Sequence, residues 1–427
     1  MLSPVLCFGQ IKHMGFTTEL KTPERDYHMS VYYPKLKLIG DTLFAPTNSG
    51  IYCINLKQNT DWKCYAFEGF TIVEFLKTGD KLLASSTGTR DSKDSLLFCS
   101  SDNGKTFINY TSSLLLEYER DYLPRIVQNP ENANSILSLG VYSGTSKSSD
   151  FGFTWENIND YGFDYQSWYL GFHPLDTMTL FSAGEIGIFQ GTIYRSSDNG
   201  STWSTYRHPG GDNCIHHITF HPTDPNILVY SGEMTMGKST DKGNTWVTVN
   251  LYDSGMYFYK VLFDEENPNI LYASGNNRSD KGNNKIYVYR SVDMGDSWHL
   301  AYEEELNMDC EGVIDMVKFE NKLIFYTIKS GLFELDLETT PVVSTPTINV
   351  QPELTVFPNP AQNILHFETD QNIEYVKIID LSGRILQDTK IHNNDRQIDV
   401  SLLNSGYYFA TFHTKNQNIT KKICIIK

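Results

Sequence analysis

The stretch RSSDNGSTWSTY at residues 195–206 has near-copies of its core along the chain. The copies are SSDNGKTF at 100–107, SSDFGFTW at 148–155, STDKGNTW at 239–246 and SVDMGDSW at 291–298. The aspartates of these five boxes lie 43 to 52 residues apart. A period in the forties indicates a repeated supersecondary unit.

Each box ends a unit with the same pattern of predicted strands. FHPTDPNILVYSG at 220–232 matches FDEENPNILYASG at 263–275, with two apolar strands joined by a turn rich in Pro, Asn and Asp. A third strand enters the box and a fourth leaves it, which is typical of a β-propeller blade. Two degenerate units, NLKQNTDW at 55–62 and GLFELDLETT at 331–340, bring the number of blades to seven. MGFTTEL at 14–20 is predicted to add the outer strand of the last blade and close the ring.

The residue types of the box suit a structural turn. Its Asp accepts hydrogen bonds from N–H groups just ahead, its Gly supplies a positive φ, and its Trp packs between blades. Equivalent positions lie far apart in a ring, so five such acids cannot converge on one substrate. The residues predicted to have this structural role are Asp102, Gly104, Asp150, Gly152, Trp155, Asp198, Gly200, Trp203, Asp241, Gly243, Trp246, Asp293, Gly295 and Trp298.

These boxes resemble the Asp-box, or bacterial neuraminidase repeat, over residues 15–340. Proteins that share it include sialidases, xyloglucan-cleaving glycosidases, sortilin-type receptors and photosystem assembly factors. The resemblance implies an all-β, seven-bladed, sialidase- or sortilin-like propeller at 10–340. It does not separate enzymes from binding proteins.

The composition changes at 339–352, TTPVVSTPTINVQP, so residues 341–352 are predicted to be a linker. Short alternating strands follow at 353–427 and predict a small antiparallel β-sandwich. This segment resembles the C-terminal sorting domain of the type IX secretion system of Bacteroidetes. The residues that carry the resemblance include Pro358, Asn359, Pro360, Gly383, Gly406 and Tyr407. It implies the type IX machinery as a partner and delivery to the cell surface or outside the cell. The alternative is a carbohydrate-binding or adhesive sandwich.

The first nine residues, MLSPVLCFG, have two interpretations. They resemble the end of a secretory signal peptide, or they form an ordinary N-terminal strand. The sorting-domain resemblance favours the signal peptide.

Charge and composition exclude several classes of partner. The net charge of −16 and the lack of a basic cluster argue against nucleic acid. No apolar run is long enough to span a membrane. The seven cysteines contain no CxxC pair, so no zinc site is indicated, although Cys53 and Cys64 flank one predicted hairpin and are candidates for a disulfide. No nucleotide-binding loop is present, and we predict no cofactor and no metal.

Candidate functional residues lie in the loops predicted at the propeller face opposite the boxes, which are rich in acids and aromatics. No catalytic residue is assigned, but the candidate acids are Asp164, Glu185, Glu233 and Asp315. The candidate ligand-binding residues are Tyr118, Arg125, Tyr165, Trp168, His216, Tyr257 and Tyr259.

Three functions remain open from the sequence. The first is a propeller that binds a glycan or protein without catalysis. The second is a glycoside hydrolase, which needs a carboxylate pair less than about 10 Å apart beside stacked aromatics. The third is an assembly or sorting scaffold. Sialidase activity is disfavoured, because Arg125-Ile126 is followed by Val127 where that family has Pro. Adjacent His216 and His217 point to opposite sides of a strand, which disfavours a shared metal ion.

Overall fold

The structure is a computed structural model, and it consists almost entirely of β-strands. It describes residues 7–8, 11–15, 34–58, 61–86, 96–114, 125–140, 144–159, 165–187, 190–209, 213–251, 255–277, 284–306, 312–338, 354–369, 372–380, 384–391, 395–414 and 418–427. The chain divides into two compact units, Met1–Pro341 and Val342–Lys427. Within the described residues the single helix is a 3₁₀ turn at Thr111–Ser113, and no helix there is long and apolar enough to cross a membrane.

The first unit is a ring of seven antiparallel sheets, which are the predicted blades. Strands β1 (Cys7–Phe8) and β2 (Lys12–His13) precede them. From inner to outer strand, the blades are Lys37–Ile39, Thr42–Thr47, Gly50–Asn55 and Lys63–Ala66 (β3–β6); Glu74–Thr78, Lys81–Ser85, Leu97–Ser100 and Ile108–Asn109 (β7–β10); Arg125–Gln128, Ile136–Gly140, Gly144–Ser148 and Glu156–Asn159 (β11–β14); Tyr165–His173, Asp176–Ile186, Gln190–Ser196 and Ser204–Arg207 (β15–β18); Ile215–Phe220, Leu228–Gly232, Thr235–Ser239 and Val247–Asn250 (β19–β22); Met256–Phe263, Leu271–Asn277, Lys285–Ser291 and His299–Glu305 (β23–β26); and Val313–Phe319, Lys322–Thr327 and Leu332–Glu338 (β27–β29). The first strand of each blade lines the central channel.

The ring is closed by the N-terminal strands. β1 pairs with the far end of β29, where Phe8 lies opposite Leu337, and β2 pairs with it nearer its start. The N-terminal segment thus completes blade 7, as predicted, but its paired residues begin earlier than the predicted range 14–20. Met14 N donates to Leu332 O (2.9 Å) directly after β2, and residues 16–20 lie outside the described residues. Ile11, which lies between β1 and β2, holds this segment in place because its buried side chain packs in the core between blades 6 and 7. Cys7 and Phe8 form a strand, as one interpretation of residues 1–9 expected, and the signal peptide at 1–9 stays a prediction.

The boxes link each blade to the one before it. In the fourth blade Asp198 accepts hydrogen bonds from Thr202 N (2.8 Å), Thr202 Oγ1 (2.6 Å) and Ser196 Oγ (2.8 Å). These bonds, with the Thr202 hydroxyl contributing most, lower the pKa of Asp198 to about 2. Gly200 has a positive φ and faces Ile158 of blade 3, where a Cβ would lie 2.7 Å from its Cδ1. The carboxylate is thus occupied within its own turn, and the turn packs on the preceding blade.

The other four boxes repeat this arrangement. Asp102, Asp150, Asp241 and Asp293 each accept the same three bonds, with Ser297 in place of Thr in the last box. The residue after each Asp also has a positive φ. The residue types at this position, Asn, Phe, Lys and Met, do not predict that conformation. Trp298 is buried and packs with Val229 of the neighbouring blade in one core cluster.

The second unit contains two sheets around one apolar core. Its strands are Thr355–Phe357, Ile364–Glu368, Tyr375–Ile379, Ile385–Lys390, Gln397–Asp399, Gly406–His413 and Asn418–Ile425 (β30–β36). They form the sheets β30-β31-β34 and β33-β32-β35-β36, which is the predicted sandwich. Asn359 Oδ1 accepts a hydrogen bond from Cys424 N (2.7 Å), which joins the FPNP motif to the last strand. Gly383 lies outside the described residues.

The candidate disulfide does not form. Cys53 and Cys64 are free thiols on neighbouring strands β5 and β6. In the register of this pair Cys53 lies opposite Lys63, whereas Cys64 lies opposite Tyr52. The two cysteines are therefore offset by one residue and their side chains point to opposite faces of the blade.

Candidate functional site

The inner strands of blades 4 to 7 share an irregularity that shapes the channel. Each has a register shift near its start, between Ser167 and Tyr169, Ile215 and His217, Phe258 and Lys260, and Val313 and Asp315. A β-bulge of this kind adds one unpaired residue and re-aims the side chains beside it. The extra residues are Trp168, His216, Tyr259 and Ile314, and the residues that follow them are Tyr169, His217, Lys260 and Asp315.

Three of the extra residues form a row of rings, which we call the aromatic row: Trp168, His216 and Tyr259. The His216 ring centroid lies 4.7 Å from that of Trp168 and 4.9 Å from that of Tyr259. All three side chains are buried, with 4–5% exposure. Burial, and then the positive charge of Lys35, lower the pKa of His216 to about 3, so its imidazole is neutral at neutral pH.

Two of the candidate acids lie beside this row and contact the same thiol. Cys214 Sγ donates to Glu185 Oε2, and burial followed by the carboxylates of Glu233 and Glu185 raises the pKa of the thiol. Burial also raises the pKa of Glu185. Glu233 Oε1 lies 3.9 Å from His216 Nε2, and Glu233 forms a β-bridge with Tyr257. Six candidate residues, from strands β15, β16, β19 and β23 and from the turn after β20, thus meet at blades 4–6: Trp168, Glu185, His216, Glu233, Tyr257 and Tyr259.

A second set of side chains converges on the channel with one residue from each blade. We call this set the channel ring: Lys35, Glu74, Arg125, Tyr169, His217, Lys260 and Asp315. Arg125 Nη1 lies 3.7 Å from Glu74 Oε2, and Lys260 Nζ lies 3.1 Å from Asp315 Oδ1. Asp315 Oδ2 also accepts the Leu36 N–H (2.7 Å), which joins blade 7 to blade 1.

The channel ring perturbs the titration of its own members. Burial, followed by the positive charge of Arg125, lowers the pKa of Lys35 to about 7, against an opposing effect of Asp315. Burial raises the pKa of Glu74 despite its Arg125 partner. Burial also holds the pKa of His217 well below its usual range, and Lys260, Lys35 and Arg125 add to this depression. Such perturbed groups in a channel are typical of functional sites.

The remaining candidates divide between the channel ring and the undescribed residues. Asp315 and Arg125 lie in the channel ring, each in an ion pair, and neither is in the group around Cys214. Asp164 and Tyr118 lie outside the described residues, and for Tyr165 only the backbone, at the start of β15, is described. Within the described part of the chain, no group of three His, Cys, Asp or Glu side chains is placed to hold a metal ion.

The candidate residues predicted from the sequence do not include Cys214 or five members of the channel ring. These members are Lys35, Glu74, Tyr169 and Lys260, together with His217, which was considered only as a metal ligand beside His216. A usable signal exists, because Tyr169, His217, Lys260 and Asp315 occupy the equivalent position after the bulge in four successive units. This signal becomes visible when the repeated units are aligned on the first residues of their inner strands rather than on the boxes.

Two family models match separate parts of the chain. Residues 355–427 match the secretion system C-terminal sorting domain, and residues 145–254 match sortilin, neurotensin receptor 3. The propeller is thus similar to sortilin over residues 145–254, and the second unit is similar to the type IX sorting domain. The sorting domain indicates export to the cell surface or secretion. No curated protein sequence matches it.

Solved structures show similarity at the level of the fold. A xyloglucanase from Xanthomonas campestris is 12% identical, with a TM-score of 0.55 over 95% of this chain and 59% of that chain. YCF48 from Cyanidioschyzon merolae is 12% identical, with a TM-score of 0.53 over 77% and 99% of the two chains. A virginiamycin B lyase from Staphylococcus aureus is 12% identical, with a TM-score of 0.53 over 78% and 100%. The chain thus spans about three fifths of the xyloglucanase, and these similarities concern the fold alone.

Proposed function

We propose that this exported propeller binds a glycan or protein ligand at the channel opening near blades 4–6, without catalysis. The observation that carries the proposal is the arrangement of Glu185 and Glu233 around Cys214. A general acid or nucleophile must face the substrate, whereas these carboxylates interact with a buried thiol of the protein itself. They therefore help to hold blades 4 and 5 together beside the opening.

The aromatic row supports the same proposal. A ring that stacks on a sugar presents an open face, but Trp168, His216 and Tyr259 pack on one another and keep little exposure. The half-buried polar groups near the channel include Glu233, Lys35, Lys260 and Glu74. A charged rim around a closed aromatic row suits recognition by ion pairs and hydrogen bonds.

A glycoside hydrolase is the second candidate, and one observation favours it. Glu185 and Glu233 share a thiol partner beside Trp168 and Tyr257, and the raised pKa of Glu185 suits a general acid. In this alternative the ligand displaces the thiol contact, and the two carboxylates act as the pair that hydrolysis needs.

One experiment separates the two candidates. The purified full-length protein is incubated with plant, algal and host glycans, and both product release and retention on the immobilised glycans or on protein extracts are measured. We expect retention without release. Release that disappears in Glu185→Gln and in Glu233→Gln, but persists in Glu303→Gln on an outer strand, would instead establish the hydrolase.

A further inference from the structure

The channel ring contains one cation more than its carboxylates neutralise. Its cations are Lys35, Arg125 and Lys260, whereas its acids are Glu74 and Asp315. Arg125 lies beside Glu74 and Lys260 beside Asp315. Lys35 Nζ instead donates to the carbonyl oxygen of Ile314 (3.3 Å), and no carboxylate of the described residues lies within 4.0 Å of it. Lys35 is thus a half-buried cation without an ion-pair partner in the part of the chain that the structure describes.

The second observation concerns His217, the ring member from blade 5. Its Nδ1 atom is buried, and no hydrogen-bond partner for it exists among the described residues. The imidazole packs edge-on against Tyr169, with ring centroids 5.3 Å apart, and this contact fixes its position. The charged groups that act on it are Lys260, Lys35 and Arg125, all cations. A buried nitrogen without a partner is destabilising, and in the tautomer with the proton on Nδ1 an acceptor supplied from outside would satisfy it.

Together the two observations indicate what the channel ring recognises, on the condition that the propeller is a binding module as proposed above. We propose that the ring binds an oxyanion group of the ligand, which pairs with Lys35 and accepts a hydrogen bond from His217 Nδ1. A carboxylate, sulfate or phosphate supplies both the negative charge and the acceptor oxygens. A cation would add to the excess positive charge, and a neutral hydroxyl would leave it unbalanced.

Binding of this kind is coupled to pH through Lys35. The groups that act on Lys35 are the cations Arg125 and Lys260 and the acids Asp315 and Glu74, and neutral His217 faces it as well. With a pKa of about 7, the amine is largely protonated at pH 6 and largely neutral at pH 8.5. If only the protonated form binds, the affinity falls about 30-fold between these two pH values.

Calorimetric titration with sodium sulfate tests the proposal. Sulfate stays doubly charged over this pH range, so any pH dependence comes from the protein. The full-length protein is titrated at pH 6.0 and pH 8.5, with sodium chloride holding the ionic strength constant. We expect saturable binding at pH 6.0 and the 30-fold weakening at pH 8.5. No binding, or equal affinity at both pH values, would overturn the proposal.

Two matched variants locate the site. Lys35→Met removes the unpaired cation and is expected to abolish sulfate binding at pH 6.0. Lys318→Met removes the same charge from blade 7, where Lys318 Nζ lies 3.4 Å from Asp264, and is expected to bind as the wild type does. Equal binding by both variants would place the anion elsewhere. If Lys35→Met does not fold, the pH dependence of the wild type decides the question.

A second arm distinguishes a free anion from one carried on a polymer. A sulfated oligosaccharide is titrated beside inorganic sulfate, with its desulfated form as the control. Binding of both sulfated probes that requires Lys35 supports a site for the anion itself, and binding of the oligosaccharide alone supports an anion carried on a glycan. Ligand retention without any Lys35-dependent anion binding would overturn this inference and leave the proposed binding function intact. Glycan hydrolysis by a protein that still binds the anion through Lys35 would overturn the proposed function without catalysis and leave the anion site intact.

Discussion

Replacing Lys35 by Met should raise the stability of the propeller at pH 7 and remove part of its pH dependence. The reason is the burial of the amine, followed by the positive charge of Arg125, because these lower its pKa from an ordinary value of 10.5 to about 7 in the folded protein. Between these values the unfolded chain holds a proton that the folded protein does not. The free energy of unfolding of the wild type therefore increases as pH rises through this window, and below pH 7 the penalty is fully present.

The size of the effect follows from the same two pKa values. A shift of this extent adds about 2 kcal/mol to the stability of the wild type between pH 7 and pH 9. Because Lys35 is only half-buried, solvent screening reduces this figure, and we expect about 1–2 kcal/mol. The Lys35→Met variant lacks the titrating group, so this part of the pH dependence should be absent from its unfolding.

Urea unfolding followed by tryptophan fluorescence measures the effect in the propeller alone, since all six tryptophans precede residue 341. Wild type, Lys35→Met and Lys318→Met are compared at pH 7 and pH 9. The difference in unfolding free energy between wild type and Lys35→Met should change with pH, whereas the difference between wild type and Lys318→Met should not. If the unfolding free energies of wild type and Lys35→Met differ by the same amount at both pH values, Lys35 keeps its ordinary pKa and the predicted pH dependence is wrong.

Three further predictions concern packing in the ring. Gly275→Ala should prevent folding, because the new Cβ would overlap the carbonyl oxygen of Tyr257. In Gly187→Ala the new Cβ has no atom within 4 Å, so the free energy of unfolding should fall by only about 1 kcal/mol. Expression yields and melting temperatures of the two variants test this difference. Trp298→Ala should lower the free energy of unfolding, measured in urea, by about 3–5 kcal/mol, because it opens a cavity against Val229. The control is Val247→Ala, which removes an exposed side chain; an equal loss of stability in both variants would contradict the prediction. Cys214 should resist alkylation until the propeller unfolds, because burial and the two carboxylates raise the pKa of its thiol; rapid labelling of the native protein, mapped by mass spectrometry, would show that the Glu185 contact does not protect it.

The blades were predictable because their signals are local. The hydrogen bonds around Asp198 all fall between residues 196 and 202, so the spacing of the boxes is enough to count the sheets. The bounds of the strand that closes the ring were harder to predict, for a related reason. Among the described residues, each of the two N-terminal strands pairs with β29 over two residues, and a two-residue strand such as Lys12–His13 has no periodic signal of its own.

The candidate site was predictable only in part. Six candidates meet at blades 4–6, because the ends of neighbouring inner strands lie close together around the channel of a propeller. The channel ring was not foreseen, because its members are selected by β-bulges and by closure of the ring. Lys35 stands in an ordinary stretch, VYYPKLKLIG, and the carbonyl that it contacts belongs to Ile314, 279 residues away. Strand register and long-range closure are properties of the folded ring and leave no local pattern.

The position of β29 has a consequence for the stability of the ring. This strand is hydrogen-bonded on one side to β28 and on the other to β1 and β2. Detaching it from the propeller therefore requires the hydrogen bonds of both ladders to break. The last blade is thus held by two distant parts of the chain, so loss of the N-terminal strands would expose an unpaired strand edge in blade 7.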